Sequence, residues 1–362
     1  MLRLSVLLGL LACVGAAAEL EVRSGPELAA AAARARPGDR ILVAPGEYPG
    51  VVLAARGVRG KPVQIEALDS SRPPVFTGMI YAPNCAWATF RNLEVRAAGG
   101  EPFNGLNADD GGDGSPAVGL VFEGLRFVVE RGNGLKLAGV DELVVRSCRF
   151  ESWSGAALDL VGCHRGLIED CRFVTDRPVE HGVQIKGGSA DVVVARCEFS
   201  GPAARWVNIG GSTDRDLLRP RDAVAEAARI LVEANTIRGG LTAVGFEAAD
   251  ASIVRNNRIE DPTKFVFRIL DSTRFAQGFV GCRNGRIENN QVIYDSAELA
   301  ALFNLGFGAD WRSFTLRGNA WYDRAQRLPP RWPGWLRWAL PSLADLPSPE
   351  IGGSYGVAPE PR

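Results

Sequence analysis

The stretch His181-Gly-Val-Gln-Ile-Lys186-Gly-Gly-Ser189 returns, 24 residues on, as Trp206-Val-Asn208-Ile-Gly-Gly-Ser212. Set in register, the same short strand recurs as Leu135-Lys136-Leu, Leu158-Asp159-Leu, Val244-Gly245-Phe, Phe267-Arg268-Ile and Phe303-Asn304-Leu. In each, apolar residues flank one central position. In a strand that alternation buries the flanks and turns the centre outward, so Lys136, Asp159, Gln184, Asn208, Gly245, Arg268 and Asn304 are expected to form one exposed column. Two residues further along stand Ala138, Val161, Lys186, Gly210, Glu247, Leu270 and Gly306. A second recurring site follows about twelve residues after each strand. It reads Cys148, Cys171, Cys197, Asn235, Asn257, Asn290 and Asn319, with Leu93 and Leu125 in the same place earlier. A period in the low twenties with two or three short strands per repeat specifies a right-handed parallel β-helix, whose equivalent positions stack about 4.8 Å apart. Cysteine then lies over cysteine and asparagine over asparagine, the amides satisfying one another inside the coil.

The chain has 362 residues and a formal net charge of −1. That length suits one large solenoid, and the charge balance argues against a nucleic-acid partner. Residues 1–18 read as a secretory leader, with Arg3, an apolar run and Ala16-Ala-Ala18. Export to the periplasm or the medium is expected, with lipid attachment at Cys13 as the alternative. No later run suits a membrane span, and a monomer is expected. Six cysteines remain after Cys13. They read as buried free thiols, and Cys163 and Cys282 lie too many rungs apart to pair.

Residues 25–36 predict an Ala-rich helix ending at Pro37-Gly38, placed to cover the open end of a solenoid spanning 19–330. Residues 98–116, with Asn107, Asp109, Asp110 and Asp113, read as a solvated loop. Two insertions break the period. Residues 212–229 carry Arg219-Pro220 and a short helix over Asp222–Ala228, and residues 271–284 carry Arg274 and Phe275. Both leave the chain after an outward strand, so both are expected to rim one face and build a cleft. Residues 331–362, with Trp332, Trp335 and Trp338, are expected to cap the far end.

On that face Lys186 stands at the centre, with Gln184 beside it and Asn208 one rung on. The glycines at 187, 188, 210 and 211 are expected to let a ligand approach the backbone. Of 41 basic residues only four are lysines: Lys61, Lys136, Lys186 and Lys264. A chain that writes arginine wherever charge suffices has a chemical reason for lysine, since an amine can act as a base and a guanidinium cannot.

Pro37-Gly-Asp-Arg-Ile-Leu-Val-Ala-Pro-Gly-Glu-Tyr48 and Gly60-Lys-Pro-Val-Gln-Ile-Glu-Ala67 resemble the opening coils of polysaccharide lyase family six, the chondroitinase-B and alginate-lyase group. Val183-Gln-Ile-Lys186 is similar to that family's strand bearing the catalytic lysine. The resemblance implies Lys186 as base and β-elimination on an anionic, uronate-containing polysaccharide. It also implies calcium, but the carboxylate expected five residues before the lysine is His181 here. The family's arginine one coil on is Gly210, so Arg268 or Arg205 has to clamp the substrate carboxylate. His181 is the candidate proton donor to the leaving oxygen. Gln184, Asn208, Arg205, Glu247, Asp159, Lys136, Arg219 and Asn304 are the expected substrate contacts. The same face would serve a uronate C5-epimerase or a non-catalytic carbohydrate-binding solenoid. A glycoside hydrolase fits worse: Asp159 and Glu247 stand three rungs apart, about 14 Å, beyond the ~5–9.5 Å that two carboxylates need.

Overall fold

The computed structural model describes residues 17–97, 103–112, 114–271, 278–306, 308–326, 339–340, 346 and 350–358. The leader's first residues, Cys13, Asp113, Arg274, Phe275, Trp332, Trp335 and Trp338 lie outside them. Short strands stack in register into three parallel sheets, and successive strands of one coil go to different sheets, the pattern of a parallel β-helix. The sheet carrying the candidate site runs from Val51–Val52 to Ala301–Leu305, where Ala339–Leu340 adds an antiparallel edge. Helix α1, Gly25–Arg34, starts at Ser24, whose hydroxyl accepts from the Glu27 N–H. It seats Leu28, Ala31 and Ala32 on the first coil.

One side chain per rung fills each interior column. Phe127, Phe150, Phe173 and Phe199 stack with ring centroids 4.8, 4.8 and 4.7 Å apart. The thiols of Cys148, Cys171 and Cys197 are buried, as expected, and all six described cysteines are free. Beyond them the asparagine ladder closes as amide chemistry requires. Asn257 Oδ1 accepts from both the backbone N–H and the Nδ2 of Asn235, while Asn257 Nδ2 donates to Val232 O. Asn290 and Asn319 repeat the pattern, and Glu350 takes the last rung. Glu350–Ile351 and Ser354–Tyr355 therefore continue the coil.

The corner before each ladder position needs a left-handed residue. Asn92, Ser147, Asp170, Arg196, Ala234, Asn256 and Asn289 all take it, with φ between 52° and 56°, and glycines 124 and 318 take it at 64° and 67°. A further column, on the outside, alternates in charge: Glu66, Arg91, Glu123, Arg146, Glu169. Arg91 bridges Glu66 and Glu123 at 3.3 and 3.0 Å, and Arg146 meets Glu123 at 3.0 Å. A slip of one rung would set like charges together, so this column helps fix register.

Two local expectations fail. Phe103–Asp109 is a strand of the site sheet, not part of a loop, because Leu106 and Ala108 alternate inward against Asn107 and Asp109. Residues 222–228 form no helix: Ala227–Ala228 pairs with Ser189–Ala190 and Ala249–Asp250, and this lateral pairing overrides alanine's helical preference.

Candidate functional site

The strands of the site sheet place their side chains by register. Lys136, Asp159, Gln184, Asn208, Gly245, Arg268 and Asn304 form one column across seven rungs, as expected. Tyr81 and Asn107 extend it at the other end. The column is not exposed, however. Asp159 is 5% and Asn208 1% accessible, Gln184 and Asn304 are buried, and only Lys136 and Arg268 are half-open. The turn after Asn208 folds back over the row, so that Gly210 O accepts from Gln184 Nε2 at 2.7 Å and from Asn208 Nδ2 at 3.1 Å.

Three residues before Gln184 stands the half-buried His181, followed by Gly182, where a Cβ would stand 2.9 Å from Trp206 Cε3 and 3.1 Å from Phe199 Cδ1. Its Nε2 lies 3.1 Å from Nη1 of Arg205, its partner on the next rung. Burial, then the charges of Arg205 and Lys186, push the imidazole down to about 3, so it is neutral at ordinary pH and accepts from Arg205. An imidazole in that state carries its one ring proton on Nδ1, with Nε2 as the acceptor. Arg205 then lies across Gly245: a Cβ there would stand 3.1 Å from Arg205 Cδ and 2.5 Å from Asn208 Oδ1. On the following rung is Arg268, whose Nε donates to Asn304 Oδ1 at 3.0 Å. Burial and the charge of Arg205 push the Arg268 guanidinium down to about 10, with Glu247 opposing. Two partly desolvated cations thus flank a rung with no side chain. Arg205 Nε and Asn208 Oδ1, both buried there, have no hydrogen-bond partner among the described residues.

Toward the other end of the strands, Asp159 sits between two amines, 3.7 Å from Lys186 Nζ and 4.0 Å from Lys136 Nζ. Beside them opens a cleft of about 570 Å³, floored by Lys136, Val161 and Lys186 and walled by Asp110, Thr213, Asp214, Asp216 and Arg221. Apart from Asp110, the wall is the first insertion. The second meets it: Phe279 packs on Leu218 and Ala248, and Arg215 lies over the Phe279 ring at 5.2 Å. The described parts of both insertions therefore rim one face, as expected.

Arg219 lines the same cleft. Its Nη1 donates to Asp141 Oδ1 at 2.7 Å and to Gly162 O at 2.8 Å, and lies 3.2 Å from His164 Nδ1. The ring's other nitrogen, Nε2, lies 3.2 Å from Gly188 O, and Nδ1 is also 3.1 Å from Asp141 Oδ1. Burial would raise the Asp141 carboxyl, but the hydrogen bonds from Arg219, His164 and Arg165 hold it below the ordinary range. Arg219 thus clamps the insertion to the coil. The glycines also serve the protein's own packing. A Cβ on Gly188 would stand 2.5 Å from Arg219 O, and one on Gly210 1.7 Å from Glu247 O. Asp141 and His164 escaped the sequence reading because they belong to strands of another sheet, Val140–Asp141 and His164–Glu169, and the buried Glu226 because it precedes Ala227–Ala228, all outside the repeating site strand; only the position of Glu226, four residues before the period resumes at Ile230, could have marked it.

Calcium does not fit at His181, which faces a guanidinium and a lysine rather than oxygen donors. Among the described residues no group of three or more His, Cys, Asp and Glu is arranged to hold a metal ion. No described helix is long and apolar enough to cross a membrane.

The chain matches no protein-family model, and no curated protein is similar to it in sequence. Solved structures do share its architecture. An alginate lyase from Paenibacillus sp. str. FPU-7 superposes with a TM-score of 0.56 at 15% identity, covering 82% of this chain and 99% of that one. A lacto-N-biosidase from Eubacterium ramulus gives 0.60 at 11%, covering 94% and 68%. The A-module of a mannuronan C-5 epimerase from Azotobacter vinelandii gives 0.54 at 15%, covering 93% and 94%. At such identity the likeness establishes the fold.

Proposed function

We propose that this protein is an exported lyase that cleaves a uronate-containing polysaccharide by β-elimination. The observation that carries the reading is the bare rung at Gly245 between Arg205 and Arg268. Two guanidiniums whose charges oppose each other in a partly dry site are balanced by an anion between them, and a uronate carboxylate has the flat, two-oxygen shape that guanidinium donors match. The fold's occurrence in an alginate lyase and a mannuronan epimerase supports the reading.

In this reading Arg205 and Arg268 neutralise the carboxylate, which makes the neighbouring C5 proton removable. Lys186 is the base that takes that proton on Nζ. The electron pair of the C–H bond forms the C4–C5 double bond, the C4–oxygen bond breaks, and the ammonium just formed returns the proton to the leaving oxygen. Gln184 and Asn208 orient the ring, and His181 holds Arg205 in place. Glu247 faces Arg268, and Asn304 fixes its Nε. Lys136 and Asp159 shape the floor. An epimerase would use the same groups and return the proton to C5 from the other side.

The ion pair between Lys186 and Asp159 favours a second reading, a non-catalytic carbohydrate-binding solenoid, in which Lys186 contributes charge alone. A screen of uronate polymers separates the two. A lyase releases an unsaturated uronate that absorbs in the ultraviolet, with the same yield after chelation of calcium. Tight binding of a polymer without that product would leave the binding reading.

A further inference from the structure

The turn Lys186-Gly187-Gly188 is trussed at every backbone group. Lys186 O accepts from Gly162 N at 3.0 Å and from Ser189 Oγ at 2.6 Å, and Gly187 O accepts from Arg219 N at 3.0 Å. Gly188 N donates to Glu226 O at 2.8 Å. The remaining donor, Gly187 N, meets Oε2 of the Glu226 side chain at 2.9 Å, while Oε1 of the same carboxylate takes Thr213 N at 2.5 Å. Glu226 is fully buried. Among the described residues it has no cationic partner within salt-bridge distance, and its carboxylate is held by these two backbone donors. A carboxylate removed from water and held by amides is costly unless both bonds stay formed.

These contacts join three things that the sequence keeps apart: the residue after Lys186, the root of the insertion that walls the cleft, and the point at which the chain re-enters the coil. We propose that Glu226 is a positioning residue, a latch that fixes Lys186 and the 213–221 wall relative to each other. It acts through backbone and touches no substrate. The consequence for turnover rests on the lyase reading above; the latch itself does not.

Two measurements test the latch without any substrate. In the wild type, hydrogen exchange of the Gly187 and Thr213 amides is expected to be among the slowest of their segments, and fast exchange of both would overturn the proposal. In Glu226→Gln one carbonyl oxygen remains and an NH2 group faces the other amide, so one bond is lost. The insertion should then open, and trypsin should cut after Arg215 or Arg221 about tenfold faster or more, while the coil's melting transition is kept. Unchanged resistance in a folded Glu226→Gln protein would overturn it as well. On a polymer that the screen identifies as substrate, kcat per folded molecule should fall about tenfold in Glu226→Gln. A residue that merely stabilises the fold would lower the melting temperature and leave kcat unmoved, and that result counts against positioning. If no polymer is cleaved, the lyase reading fails while exchange and proteolysis still judge the latch.

Discussion

Exchanging Lys186 for arginine separates charge from basicity. The guanidinium keeps a cation beside Asp159 but stays protonated at any working pH. Under the lyase reading Lys186→Arg should therefore fold and bind polymer yet lose turnover, and an arginine variant as active as the wild type would remove Lys186 from the base role. His181 offers a test by pH alone. Its imidazole is held at about 3 in the fold against an ordinary 6.5. A base whose folded value is lowered contributes stability that is complete above the unfolded value and is lost as pH falls. Between about pH 6.5 and 3 the unfolded chain binds the extra proton, so this residue should cost stability at up to about 1.4 kcal/mol per pH unit. His181→Gln keeps an acceptor for Arg205 without titrating. In acid unfolding curves the wild type should lose stability relative to His181→Gln as pH falls below about 6.5; parallel curves would show that the imidazole titrates normally.

The ladders and corners carry the predictions that belong to elements. Asn257→Leu removes the acceptor used by Asn235 N and Nδ2 and the donor to Val232 O. Leaving such buried groups unmatched should cost at least about 1–3 kcal/mol in a denaturant melt. Ala234 occupies the left-handed corner at φ 55°. That conformation costs an alanine about 1–2 kcal/mol and glycine almost nothing, while glycine gives back some of the gain as chain entropy. Ala234→Gly should raise the denaturation midpoint by roughly 0.5–1 kcal/mol of stability, and a lowered midpoint would mean that the corner is not strained. These elements also show what the sequence carries. The strand column and the Cys and Asn ladders were legible because one residue per coil repeats. The Phe103–Asp109 strand was hidden because its glycines and acids imitate a loop, although Leu106 and Ala108 alternate correctly. The segment 222–228 misled because an alanine run favours helix locally, and nothing local announces that two neighbouring strands wait to pair with it.

At the scale of the molecule, the candidate site is a row and not a point. Its register was legible, but its burial was not, since burial is set where the insertion leaves the coil: the chain at Gly210 folds over Gln184 and Asn208, and Arg219 reaches back to Asp141 and His164. From Tyr81 to Asn304 the column crosses nine rungs, through Asn107, Lys136, Asp159, Gln184, Asn208, Gly245 and Arg268. Eight spacings of about 4.8 Å make a face about 38 Å long. The cations are concentrated in its second half, at Arg205 and Arg268, with Lys136 and Lys186 before them. A single sugar occupies a fraction of that length, so affinity should accumulate with each unit that reaches another rung. Binding of uronate oligomers, measured by calorimetry at fixed salt, should tighten with chain length until the face is filled and then level off. It should weaken as salt is raised, because surface ion pairs are screened over about 8–10 Å near physiological ionic strength. Affinity that is the same for a monosaccharide and a long oligomer would reduce the site to the single notch at Gly245 and leave the rest of the row to the fold.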